Sequence, residues 1–173
     1  MPVFDAISSG YLILSYTDIF ISLRDGEPWY EWPSFDPIQF HPIVQAPNHP
    51  AQNGFAYPKW INPWAIKTPP GYSCLFVQPF HRESMFTILP GVVDTDKYTS
   101  SVNFPFSLNL PISEGIIPAG TPIAQVIPFK RDSWKMSWGN EEGLKSNFNT
   151  TKLLRTKFFD SYKTFFRQVK EYK

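Results

Sequence analysis

Asp94 and Asp96 stand two residues apart at the end of Gly91-Val92-Val93-Asp94-Thr95-Asp96. Two carboxylates on a rigid hairpin can hold Mg2+ or align a water beside a triphosphate. Short acidic side chains at such a place also satisfy the turn's own backbone donors, and both readings are open at this point. Upstream, Arg82 and Ser84 in Pro79-Phe80-His81-Arg82-Glu83-Ser84 carry donors that suit a phosphate, with Glu83 between them opposing it. Tyr98, Trp60 and Trp64, joined by Trp29 and Trp32, supply flat aromatic faces. Stacking surfaces with a few polar anchors are what small-ligand pockets require. These residue types suit a small ligand held by Arg82, Ser84, Asp94, Tyr98, Trp60 and Trp64. Asp94 and Asp96 are the catalytic candidates if the protein is an enzyme, and Mg2+ is then the cofactor.

Other chemistries find less support. His41, His49 and His81 lack the paired spacing of a zinc site, and no metal site is expected. The single cysteine, Cys74, excludes an internal disulfide. It falls in mid-strand with no adjacent base, which predicts a buried structural thiol. There is no Gly-x-Ser-x-Gly elbow and no phosphate loop.

The elements that must position these residues are mostly strands. Gly10 to Leu23 is rich in aromatic and β-branched residues, Asp25-Gly26 is a hairpin turn, and Trp29-Tyr30-Glu31-Trp32 reads as the returning strand. Residues 33–63 carry prolines at 33, 37, 42, 47, 50, 58 and 63, a density that predicts no regular element of any length. Phe35, Phe40, Phe55, Tyr57 and Trp60 lie in the same stretch, so it is expected to be a packed, ordered loop. Residues 64–129 read as the core of a barrel or sandwich. There Pro69-Pro70-Gly71 forms a turn, Tyr72 to Pro79 a buried strand, and Ile123 to Phe129 the last strand. Pro105 within Val102 to Leu110 implies an edge or a bulge, and Ile116 to Pro122 reads as a turn. The period changes at Thr151: Leu154, Phe158, Tyr162, Phe165, Val169 and Tyr172 form a helical stripe, with Asn149-Thr150-Thr151 as candidate caps. That stripe is expected to cover one end of the barrel. The resulting plan is a mainly β domain over 1–130, followed by a basic linker and helix over 131–173 within the same domain.

The chain has 173 residues, 42% of them hydrophobic and 18% charged, too aromatic and weakly charged for disorder. No apolar run approaches the ~20 residues of a membrane span. The start has no basic n-region, so cytosolic residence is the simplest expectation. Residues 1–129 hold five basic and ten acidic residues, whereas residues 130–173 hold eleven basic and five acidic. Lys130, Arg131, Lys135, Lys152, Arg155 and Lys157 lie beside Trp134 and Trp138, a mixture suited to single strands. The near-neutral total of +1 and the interspersed acids make nucleic acid an unlikely partner.

Thr68-Pro69-Pro70-Gly71-Tyr72, Gly91-Val92-Val93-Asp94-Thr95-Asp96 and Ile117-Pro118-Ala119-Gly120-Thr121-Pro122-Ile123-Ala124-Gln125 occur in an order and spacing that resembles the dUTPase and dCTP-deaminase-like families. The resemblance covers residues 60–130 in patches. It implies a dUTPase-like barrel, a trimer, and Asp94 orienting water near a sugar with Tyr98 as the ring beneath it. The phosphate segment Pro-Arg-Ser-Gly of those enzymes and their glycine-rich C-terminal arm have no counterpart here. Thr68 to Tyr72, Gly91 to Asp96 and Phe104-Pro105-Phe106 also resemble an uncharacterised bacterial and phage domain family. The start, Pro2-Val3-Phe4-Asp5-Ala6, is similar to its phage members. These likenesses imply that the ligand is nucleotide-like, and that a phage protein binds, and could sequester, a signal nucleotide in the cytoplasm of an infected cell. The alternatives are a Mg2+-dependent nucleotide pyrophosphatase and a virion structural or assembly protein.

Overall fold

The computed structural model describes residues 2–33, 35–45, 57–109, 111, 114–156 and 161–172. The chain divides into two compact units, one of residues 10–131 and one of residues 1–9 with 132–173.

The larger unit is mainly β and antiparallel. Its strands are β1 (Tyr11–Leu14), β2 (Ile19–Arg24), β3 (Glu27–Glu31), β4 (Ile38–His41), β5 (Tyr57–Trp60), β6 (Tyr72–Val77), β7 (Phe86–Ile88), β8 (Gly91–Val93), β9 (Phe104–Leu108), β10 (Gly115–Ile117) and β11 (Pro122–Lys130). They form three sheets with the orders β1-β11-β6-β8, β10-β2-β3 and β4-β5-β9-β7. Of the barrel or sandwich expected from the sequence, no closed barrel forms among the described residues: the ladders end at open edges.

Side-chain alternation builds the core. Ile19 and Ile21 of β2, Phe86 and Ile88 of β7, and Phe104 and Phe106 of β9 point inward at every second position. Trp60 stacks on Phe106 at 4.8 Å and meets Phe86 edge-on at 5.1 Å, so its ring is in the core. Ile38, Cys74, Phe76, Val102, Ile117, Ile123, Ala124 and Val126 complete that cluster.

The β2–β3 hairpin forms as its Asp-Gly turn predicts, with Asp25 and Gly26 at φ 53° and 82°. Gly71 and Gly120 also take positive φ, and the Tyr72 amide donates to the Pro69 carbonyl at 3.2 Å to close the proline turn. Four expectations need correction. The proline-rich stretch contains two paired strands, β4 and β5, because Pro58 stands opposite Phe40 at a position that leaves the short ladder intact. Phe35 and Phe40 are exposed rather than packed; Phe55 and the prolines at 47 and 50 lie outside the described residues. Pro105 is not on an edge, since β9 runs between β5 and β7; its β5 ladder is two residue pairs long, so one missing donor disturbs little. Gly115–Ile117 is a strand on β2 rather than a turn.

The smaller unit holds α1 (Pro2–Ile7), α2 (Glu141–Thr156) and α3 (Ser161–Phe165). Pro2 opens α1 at the position where a missing amide donor is harmless. Asp5 is buried and accepts from Arg167 at 2.8 Å and Lys170 at 3.2 Å, tying the start of the chain to residues near 170. α2 begins ten residues before the expected helix, because the Asn140 side chain caps it, accepting the Gly143 amide at 3.0 Å. Asn149, Thr150 and Thr151 lie inside α2 and cap nothing. The expected stripe is exposed at Leu154, Tyr162, Phe165, Val169 and Tyr172; Phe158 lies outside the described residues. No described helix is long and apolar enough to cross a membrane.

Candidate functional site

The end of β8 and the start of β6 meet through Arg131, which follows directly on β11. β6 pairs with β8 on one side and β11 on the other, so Ser73, Asp94 and Arg131 come together. The Arg131 guanidinium donates to Asp94 at 3.2 Å and to Asp96 at 2.9 Å, with a second, shorter bond to the other Asp96 oxygen. It also donates to the Tyr72 carbonyl and the Ser73 hydroxyl, each at 2.9 Å. Asp96 accepts the Gly71 amide at 2.9 Å, Asp94 accepts the Ser73 hydroxyl at 2.7 Å, and the Arg131 amide donates to the Gly71 carbonyl at 2.8 Å. The Asp96 side chain is only 7% exposed, whereas that of Asp94 is 58% exposed. Thr95, between them, is buried, pairing its hydroxyl with Thr68 at 2.8 Å and lying 3.4 Å from the Cys74 sulfur. Cys74 is fully buried, as its mid-strand position predicts.

Arg131 first, and the Gly71 amide second, hold the Asp96 carboxyl well below the usual carboxylate range. An unfolded aspartate titrates near about 3.9. The Asp96 contribution to stability is therefore complete above that pH and is lost as the pH falls below it. The thermal midpoint is expected to drop between about pH 6 and pH 3, and Asp96→Asn is expected to flatten part of that slope. Melting curves followed by circular dichroism at both pH values check this.

A second feature lies beyond the other end of β6. The segment from Gln78 to Phe86 is pinned by side chains: Gln125 accepts the Phe80 amide at 3.0 Å, Gln78 accepts the Ile88 amide at 3.0 Å, and Asn109 donates to the Ser84 carbonyl at 2.7 Å. His81 at its tip has φ 55°, a conformation that non-glycine residues adopt only where surroundings impose it. The segment walls a cleft of about 620 Å3, with Val77, Phe80, Leu89 and Pro90 among its apolar lining and His81, Arg82, Glu83, Gln78, Thr87 and Ser107 as its charged and polar groups. Arg82 is exposed, with no ion-pair partner among the described residues. Ser84 is half-buried and its hydroxyl accepts the Phe86 amide at 3.3 Å.

The predicted site residues thus fall into separate places. Asp94, Asp96 and Tyr98 share one end of β6, with the Tyr98 amide bonded to the Asp94 carbonyl at 2.8 Å. Trp64, 71% exposed, stands beside that region through the Ala65–Ser101 bridge. Arg82 and Ser84 belong to the other end. The anchor points Ser73 and Val77 are four residues apart on β6, roughly 13 Å at about 3.3 Å per residue. Trp60 is 1% exposed and cannot stack on a ligand. Trp29 is engaged in its own hairpin, under the Arg24 guanidinium at 4.1 Å and bonded to Glu31 at 3.0 Å, while Trp32 packs on the core. Arg131 is the residue that sequence reasoning misses, placing it in a free basic segment; its only local signal is its position directly after the last strand.

No family model, no curated protein and no solved structure matches this chain.

Proposed function

We propose that this protein binds a small anionic, nucleotide-like ligand without turning it over, in the cleft beside β6 and β7, with Arg82 as the anion anchor. The observation that carries the reading is an exposed guanidinium, with no ion-pair partner among the described residues, on a segment pinned by side-chain hydrogen bonds at the rim of a cleft of about 620 Å3. Such a cleft has the size and lining of a small-molecule site, and its apolar wall suits a base while Arg82 meets a phosphate. Ser84 lies on the same segment but does not line this cleft, so Arg82 carries the anion contact. Binding is favoured over hydrolysis because the Arg131 guanidinium takes both Asp96 oxygens and one Asp94 oxygen, so the carboxylate pair is already charge-compensated. A binder of this kind would act by sequestration, lowering the free concentration of its ligand.

The test is incubation of the protein with dNTPs, NTPs and cyclic nucleotides in the presence of Mg2+, followed by chromatography before and after heat denaturation. A nucleotide that disappears and returns intact on denaturation is the expected result. Consumption of the nucleotide, abolished by Asp94→Asn, would establish the pyrophosphatase instead, and no depletion across the panel would remove both. For a nucleotide so captured, Arg82→Ala is expected to weaken binding by about tenfold or more, since a charge-assisted bond is lost. Glu83→Gln is expected to tighten it by removing the opposing charge. Isothermal titration of both variants reads these changes.

A further inference from the structure

We propose that α2 pairs antiparallel with α2 of a second copy of this chain, about a twofold axis passing beside Phe148. Leu144 and Phe148 sit one turn apart on this helix and are 69% and 71% exposed, beside a groove of about 610 Å3 that continues along Thr151 and Arg155. An exposed pair of large apolar side chains of this kind favours burial against a second apolar surface. The charges identify what covers it. Glu141 lies seven residues before Phe148 and Arg155 seven residues after it. Seven residues are close to two turns, so all three stand on one face. The face therefore reads acid, apolar, base, with the apolar position at its centre. A twofold axis at Phe148 sets Glu141 of each copy against Arg155 of the other, and the two Phe148 rings against each other. A parallel pairing would instead oppose Glu141 to Glu141 and Arg155 to Arg155. Neither Glu141 nor Arg155 has an ion-pair partner among the described residues, so both charges are available. The pattern is self-complementary in the sense an isologous interface requires.

Sedimentation equilibrium of the full chain, at protein concentrations from about 1 to 100 µM, tests the pairing. The wild-type chain is expected to dimerise. Glu141→Arg and, separately, Arg155→Glu each set like charges against one another and are expected to raise the dissociation constant about tenfold or more. The combined Glu141→Arg, Arg155→Glu chain restores opposite charges at both ends and is expected to dimerise again. Both positions are exposed, and far-UV circular dichroism verifies that each of the three variants keeps its helix. A monomer at every concentration, a trimer, a dimer indifferent to Glu141→Arg, or failure of the combined exchange to restore association would each overturn the proposal.

Discussion

Gly10→Ala is expected to destabilise the β unit by about 3 kcal/mol or more, an effect at the upper end of single substitutions. Two separate penalties act there. Gly10 has φ 69°, and a Cβ at that position would lie 1.9 Å from the Val126 carbonyl oxygen and 2.8 Å from its carbon. Backbone of the β11 ladder cannot step aside as a flexible side chain would, so β1 must detach or shift to admit even one methyl group. Gly26→Ala isolates the first penalty, because Gly26 has φ 82° but nothing within 4 Å of an added Cβ. That control is expected to lose only about 1–2 kcal/mol, the strain of a left-handed alanine. Urea unfolding of the two variants separates the contributions; equal losses would mean that close approach to Val126 is unimportant.

The other large loss is expected from Arg131→Met. The variant keeps much of the aliphatic volume but leaves the 7% exposed Asp96 without its cation and removes the donor to the Tyr72 carbonyl. A sheltered carboxylate deprived of its partner is far more costly than a broken surface pair. The fall in thermal midpoint should therefore well exceed the few degrees that an exposed ion pair contributes. Arg131→Lys is expected to rescue little, since one ammonium cannot make the paired bonds to Asp96 and still reach Asp94, Ser73 and Tyr72. Combining Arg131→Met with Asp96→Asn should recover part of the loss, and a double-mutant cycle measures the coupling. Additive losses would show that the guanidinium and carboxylate act independently.

Those two residues also mark what can be read from the chain itself. The β2–β3 hairpin was legible because Asp25-Gly26 states the turn chemistry locally. Gly71 was legible for the same reason, being set two residues after Pro69, and Cys74 because an apolar run surrounds it. Arg131 was not, because its partners are 35 and 37 residues away and an ion pair across strands leaves no periodic trace. Asp5 was missed likewise, its partner Arg167 being 162 residues distant. β4 and β5 were hidden because prolines normally exclude ladders, and only their register shows that Pro58 does no harm. α2 began earlier than its apolar stripe because the cap at Asn140 sets the start, whereas the stripe reflects only where apolar residues cluster. For the site, the chemical types at Arg82 and Asp94 were visible, yet their separation along β6 was a matter of pairing, which local spacing does not encode.

The strand order has a consequence for how the protein is made. β11, the last of the described strands in chain order, lies between β1 and β6, two of the earlier ones. Until residue 131 emerges, β1 has no partner, β6 presents a bare edge, and Asp94 and Asp96 repel each other without their cation. The sheet holding β1, β6 and β8 therefore cannot be completed until β11 is made, whereas the other two sheets pair without it; long-range pairing of this kind closes late. A nascent chain arrested before β11 should be open to protease at β1, β6 and β8, and one arrested well past Arg131 should be resistant there.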